Sequence, residues 1–216
     1  MDKTNGIIFD MDNTILASRI DFPKMKQETR AWVSEKLGHP TDEHLTVGET
    51  IAYGAAHGLS PEEVAAAWQL VGEIEAEGMV DALAEEGAAD ALIELKQKCY
   101  LTVLTNNAKK AANLALERAG LQQHFPEIWA REDVPLLKPD PQGVEQMKAA
   151  HPEIQKWLLI GDSWLDGAAA KQAGIGFAAY GDKPAAYWQK YEIFPDLWLK
   201  NWQKKSVFCI FSWFFG

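Results

Sequence analysis

Gly6-Ile7-Ile8-Phe9-Asp10-Met11-Asp12-Asn13-Thr14 is a short apolar run that ends in two aspartates two residues apart. Continuous apolarity over so few residues, without alternation, reads as a buried strand. Three further polar signatures sit at comparable places. Thr105-Asn106-Asn107 closes Tyr100-Leu101-Thr102-Val103-Leu104, and Gly161-Asp162-Ser163-Trp164-Leu165-Asp166 closes Trp157-Leu158-Leu159-Ile160. The last is Lys138, in the loop Leu137-Lys138-Pro139-Asp140-Pro141. In an open parallel sheet, ligands bind at the carboxyl ends of the strands. The four signatures are therefore expected to meet in one catalytic cleft, suited to phosphoryl transfer.

The segments between these signatures agree with such a sheet. From about Leu16 to Glu86 the pattern is helical, with Ala31-Trp32-Val33 through Leu37 as one helix ended near Gly38. Ser60-Pro61-Glu62-Glu63 starts another: Ser60 caps, Pro61 takes the first turn and Glu63 completes a capping box. From Ala88 onward helices and strands alternate. Ala88, Leu92, Leu95 and Cys99 share a helical face, Tyr100 to Thr105 is a strand, and Ala108 to Ala119 is a helix stopped at Gly120. Ile128-Trp129-Ala130 is a short strand, Gln142 to Ala150 a helix and Trp157 to Gly161 a strand. Leu165 to Ala173 is a helix stopped by Gly174, followed by a strand from Gly176 to Tyr180. Strand, helix and strand at this spacing imply right-handed crossovers and a mostly parallel sheet.

The bulk composition sets bounds on this reading. A chain of 216 residues can bury a full core and carry one domain with a sizeable insertion, or two small domains. Apolar residues at 47% and charged residues at 24% are an ordinary globular balance. A formal net charge of -10 argues against nucleic acid as the main partner, though not against anionic metabolites held beside a divalent cation. Cys99 and Cys209 lack metal-ligand spacing and are expected to be reduced thiols. Met1-Asp2-Lys3-Thr4-Asn5 leads straight into a strand without a signal peptide, so cytoplasm is the expected compartment.

One segment stands apart, the aromatic tail Val207-Phe208-Cys209-Ile210-Phe211-Ser212-Trp213-Phe214-Phe215. As a helix it would span roughly 14 Å, far short of a bilayer core of about 30 Å, so no transmembrane segment is expected. It either packs on its own domain, binds a partner or membrane surface, or is an irregularity near the terminus. Exposed, it would form an aggregation-prone patch.

Taken in order, Phe9-Asp10-Met11-Asp12-Asn13-Thr14, Thr105-Asn106-Asn107, Lys138-Pro139-Asp140-Pro141 and Gly161 to Asp166 resemble the four motifs of the haloacid dehalogenase superfamily. The resemblance is closest to phosphoglycolate-phosphatase-like members, which carry a helical cap between the first two motifs. It covers Gly6 to about Ala179; the tail has no counterpart. It departs at Asn13, where many relatives have glycine, but asparagine also tolerates unusual backbone angles. The resemblance implies an α/β fold: a three-layer Rossmann-like core with a mostly parallel sheet and an all-helical cap inserted after the first strand. The corresponding divisions are 1–15 and 87–200 for the core and 16–86 for the cap, with 201–216 as a tail of unassigned role.

The chemistry of phosphate esters fits these residues. Their negative oxygens repel a nucleophile, so a site must neutralise charge, align the attack and protonate the leaving oxygen. Asp10 is the expected nucleophile, forming an acyl phosphate, as the resemblance also implies. Asp12, two residues on, is expected on the same side as general acid and then base, an effect typically worth about 10²–10⁴-fold. Mg²⁺ favours a few carboxylates with retained waters. Asp10, Asp162 and the main-chain carbonyl of Asp12 would serve it, with Asp166 as a ligand or as the group orienting a bound water. Asp162 and Asp166 also read as caps of the following helix. The Thr105 hydroxyl and the Asn106 backbone amide would hold phosphoryl oxygens near a helix start, and Lys138 would offset the charge of the transferring group.

In the cap, Arg19, Arg30, His44, Tyr53 and His57 are candidates to read the substrate, but each also fits an ordinary surface or core position and none is assigned a role. Trp32 and Trp68 are expected to hold the cap together. The leading expectation is a Mg²⁺-dependent phosphatase of small phosphorylated metabolites. A phosphomutase would keep every core residue, and its acceptor alone would differ. A dehalogenase would have no leaving oxygen for Asp12 to protonate. A non-catalytic binding protein on the same fold would use the aromatic tail for docking. Oligomeric state and substrate identity are left open.

Overall fold

The protein is described here from a computed structural model covering residues 4–216; the expected lead-in at Met1-Asp2-Lys3 lies outside the described residues. The chain divides into two compact units. The larger runs to Ser18 and resumes over Ala82–Gly216, and the smaller is Arg19–Asp81.

In the larger unit, β1 (Asn5–Phe9) is the strand expected from the opening motif, and every one of its residues is buried. Two short strands, β2 (Leu16–Ala17) and β3 (Leu83–Ala84), pair antiparallel where the chain leaves and re-enters this unit. The remaining strands are β4 (Tyr100–Leu104), β5 (Glu127–Trp129), β6 (Lys156–Gly161), β7 (Gly176–Tyr180) and β8 (Leu197–Leu199). They join β1 in a six-stranded sheet of order β5-β4-β1-β6-β7-β8, with every pair parallel. Phe9 is registered against Val103 on one side and Ile160 on the other. The chain therefore leaves β1 between the ends of β4 and β6, at the point where successive strands change direction across the sheet. That is where open α/β sheets place their ligands.

The smaller unit is a helical array of α1 (Phe22–Leu37), α2 (Val47–Ala56) and α3 (Pro61–Met79). Local sequence explains each start. Asp21 accepts from Lys24 N at 2.9 Å, and Ser60 with Glu63 forms the expected capping box. Thr46 and Glu49 form a second box that opens α2, a helix the sequence reading passed over although T-x-x-E stands in the sequence. The first helix begins well before Ala31, at the Asp21 cap, and its buried stripe is narrow: Met25, Thr29 and Val33, with charged residues between. Of the cap candidates, Tyr53 stacks on His57 at 3.8 Å and Arg30 lies 3.7 Å from Glu43.

Helices cover both faces of the sheet. The face carrying Ile8, Leu104, Leu159 and Phe177 packs on Val144 and Met147 of α6 (Gln142–Ala150), Ala169 and Ala170 of α7 (Trp164–Gln172), and Trp188 of α8 (Ala185–Gln189). On the other face, Phe9 meets the rings of Phe125 and Trp202, both at 5.8 Å. The helices α4 (Ala88–Leu95) and α9 (Lys204–Phe215) pack against each other, and α5 (Lys109–Arg118) lies against β5.

One expectation needs correction. The segment 16–86 is not wholly helical, since β2 and β3 lie within it; two-residue strands are too short to show a period in sequence. Of the readings given for the tail, packing on its own domain is the one found: the segment belongs to the larger unit, with Trp202, Ser206, Val207 and Ile210 buried. Trp202 stacks on Tyr180 at 5.0 Å, and its Nε1–H donates to the Thr14 carbonyl at 2.6 Å, tying the chain end to the loop after Asp12. Among the described residues no helix is long and apolar enough to cross a membrane.

Trp202→Ala is expected to cost about 3–5 kcal/mol in denaturant unfolding through loss of a buried ring. Trp202→Phe keeps most of the packing but leaves the Thr14 carbonyl without its donor, and should cost about 1–3 kcal/mol.

Candidate active site

The opening motif is shaped by its turn. Asp10 N–H donates to Ile160 O at 2.9 Å, extending the pairing with β6, and the chain then folds back so that Ile15 N and Leu16 N both donate to Met11 O at 3.0 Å. Asn13 supplies the left-handed residue this turn needs, with φ of 56°. Both carboxylates of the motif reach partners near the end of β4, but different ones.

Asp10 Oδ1 lies 2.6 Å from Lys138 Nζ. The same ammonium donates to Asp166 Oδ1 at 2.6 Å and to Leu104 O at 2.8 Å, so its three hydrogens are all engaged and its side chain is 3% exposed. Asn106 fixes the lysine from behind. Its Nδ2 donates to Lys138 O at 2.9 Å and its Oδ1 accepts from Lys138 N at 3.0 Å. Asp166 is held by its second oxygen, which accepts from Ser163 N at 3.0 Å in the capping box of α7. Asp166 is thus both helix cap and site residue. Gly161 is required beside it, since a Cβ there would run into the Asp166 carboxyl.

These contacts set the charges. Burial pushes Asp10 well above the ordinary carboxylate range and the Asp166 carboxylate adds to this, while Lys138 opposes both. Burial alone would lower the Lys138 ammonium; Asp10 and Asp166 outweigh it and hold lysine above its usual value, so it remains charged.

Asp12 faces a neutral partner instead. Asn107 Nδ2 donates a short hydrogen bond to its Oδ2, and its Oδ1 is buried without a hydrogen-bond partner of good geometry among the described residues. Burial raises the Asp12 carboxyl, with the Ser18 hydroxyl and then the Asn107 amide pulling against it. Thr105 is buried next to this pair, and its Oγ1 accepts from Asn107 N at 3.2 Å.

Asp10, Asp162 and Asp166 each offer one oxygen, all within 4.8 Å of one another. Hard carboxylate oxygens so grouped fit Mg²⁺. The Asp12 side chain lies outside this group. Burial raises Asp162, opposed by Lys183, whose Nζ is 2.5 Å from Asp162 Oδ2.

All expected core residues are thus placed: Asp10, Lys138 and Asp166 touch directly, Asp162 joins them, and Asp12, Thr105 and Asn106 surround them. The sequence reading missed Asn107 and Lys183. Asn107 stood within a quoted motif without a role. Lys183 follows β7 in Gly181-Asp182-Lys183-Pro184, another strand end that the same positional rule covers.

Lys138→Met strands two buried carboxylates and is expected to destabilise the fold by about 3–5 kcal/mol in chemical unfolding. Adding Asp10→Asn removes one stranded charge and should recover part of that loss, so the double variant will be more stable than Lys138→Met alone.

Residues 7–180 match the family model described as haloacid dehalogenase-like hydrolase. The chain is 34% identical over 95 residues to the phosphoglycolate phosphatase of Mesorhizobium japonicum, covering 43% of this chain and 42% of that one. Over 190 residues it is 27% identical to phosphoglycolate phosphatase 1 of Pseudomonas aeruginosa, covering 80% and 68% respectively. The match thus spans about two fifths of the first relative's length and two thirds of the second's. The fold is shared with a HAD-hydrolase of Bacillus subtilis solved bound to magnesium, at a TM-score of 0.62 and 20% identity, over 99% of this chain and 100% of the other. The chain belongs to the haloacid dehalogenase-like hydrolases.

Proposed function

We propose that this hydrolase is a Mg²⁺-dependent phosphatase of small phosphomonoesters, acting through an aspartyl phosphate on Asp10. The observation that carries the reading is the environment of the two aspartates. Asp10 sits 2.6 Å from a buried ammonium and close to Asp162 and Asp166, whereas Asp12 sits against a neutral amide. Two carboxylates whose surroundings differ in this way divide into nucleophile and acid.

An Asp10 carboxylate oxygen attacks phosphorus and forms the acyl phosphate as the ester P–O bond breaks. Asp12 gives a proton to the departing alkoxide. Asp12 then accepts a proton from water as that water attacks phosphorus, releasing inorganic phosphate and restoring Asp10. Lys138 stays charged throughout and offsets the negative oxygens of the transferring group. The Thr105 hydroxyl, which accepts from Asn107 N, retains its own hydrogen for a phosphoryl oxygen, beside the Asn106 backbone amide. Asn106 acts a second time through its side chain by fixing the Lys138 backbone. Asp10, Asp162 and the Asp12 carbonyl, with Asp166 beside them, would hold Mg²⁺, whose positive charge would lower repulsion between carboxylate and phosphate. The naming of two relatives as phosphoglycolate phosphatases supports a small phosphorylated acid as substrate.

Phosphate release from a panel of phosphomonoesters, with phosphoglycolate among them, should require Mg²⁺ and stop reversibly on chelation. Asp10→Asn should lower turnover by at least about 10⁴-fold with the fold intact by circular dichroism, and Asp12→Asn by about 10²–10⁴-fold. Substantial turnover by Asp10→Asn would sink the covalent route. Absence of phosphate release together with conversion of a hexose 1-phosphate would replace the phosphatase with a mutase.

A further inference from the structure

Two lysines approach the acidic cluster, and they are built differently. Lys138 is enclosed, with every ammonium hydrogen committed to a different residue. Lys183 gives two bonds to a single residue, 2.5 Å to Asp162 Oδ2 and 2.6 Å to the Asp162 main-chain carbonyl. Its side chain is 36% exposed, and its only ring neighbour among the described residues is Tyr187, at 5.4 Å. It also lines a cavity of about 450 Å³ that Asp162 borders, together with Glu85, Glu86 and Asp182.

An ammonium hydrogen-bonded to a carboxylate oxygen occupies the direction a cation would take, and it repels a divalent ion placed beside it. We propose that Lys183 is a positioning residue that competes with the divalent metal for the Asp162 carboxylate, so that metal binding requires Lys183 to swing away into the adjoining cavity. The inference rests on the metal reading above and adds to it a residue that sets metal affinity. The geometry permits the exchange. The lysine stem is flexible and half-open to solvent, the cavity adjoins it, and three carboxylates line that space to receive the ammonium. Lys138 has no such freedom. The metal thus meets two ammonium groups of opposite behaviour, one fixed and one that yields.

The test is calorimetric titration of MgCl₂, without substrate, into the full chain and into Lys183→Met, Lys183→Gln, Lys183→Arg and Asp162→Asn. Lys183→Met and Lys183→Gln should bind Mg²⁺ roughly tenfold more tightly, the scale of losing one charge-assisted hydrogen bond. Lys183→Arg should restore the weaker wild-type affinity, which a merely structural role would not require. Thermal unfolding without metal verifies that each variant is folded. Equal or weaker binding by folded Lys183→Met and Lys183→Gln overturns the competition while leaving the metal site standing. Binding by Asp162→Asn equal to wild type, or no binding by any protein, overturns the metal reading and this inference together.

Discussion

The buried ammonium of Lys138 is the constraint around which the site is organised. Moving a lysine and two carboxylates out of water costs several kcal/mol per ion, recovered only where geometry and additional hydrogen bonds are good. Here they are: two carboxylate contacts at 2.6 Å and a carbonyl at 2.8 Å leave no ammonium hydrogen unmet. Each partner comes from a different strand end, Asp10 from β1, Leu104 from β4 and Asp166 beyond β6. The sheet order, with β1 between β4 and β6, is what lets one lysine serve all three. A hydrophobic triad of the same volume would tie those strand ends together at least as well. The charge therefore points to a role beyond stability.

That cost propagates outward. A lysine placed to within a few tenths of an ångström needs its backbone fixed, and Asn106 does this with two opposed hydrogen bonds to residue 138. Asp166 must present Oδ1 to the lysine, so its Oδ2 is fastened to Ser163 N and Gly161 leaves space for the carboxyl. The helix cap of α7 and the charge network around Lys138 are consequently one structure.

How much of this was legible in sequence follows from distance along the chain. The strand-end motifs could be read because apolar run and polar end are contiguous, and the parallel-sheet rule then brought Asp10, Thr105, Lys138 and Asp162 together. Asn106 was read for its backbone amide, and its side-chain clamp was not, because its partner lies 32 residues away. Asn107 reaches Asp12 across 95 residues and Lys183 reaches Asp162 across 21, and no periodicity signals such pairs. Short elements escaped for a different reason. The strands β2 and β3 are two residues long, below the length at which alternation becomes a pattern.

The tail shows how a segment outside the recognisable motifs can still act on them. Its dense aromatic content suggested several fates, and burial of Val207 and Ile210 settles on packing within its own unit. Trp202 carries the consequence inward. Its ring covers Phe9 and Tyr180, on strands of the same sheet, and its N–H holds the Thr14 carbonyl. Thr14 in turn places its hydroxyl 3.4 Å from Asp10 Oδ2. The loop bearing both aspartates is thus fixed at one end by Lys138 and at the other by a tryptophan 188 residues from its partner. The nucleophile role proposed for Asp10 needs a carboxylate held in place to react efficiently, and a loop anchored only through its charges would move whenever those charges changed. The aromatic chain end supplies the anchor that does not depend on charge.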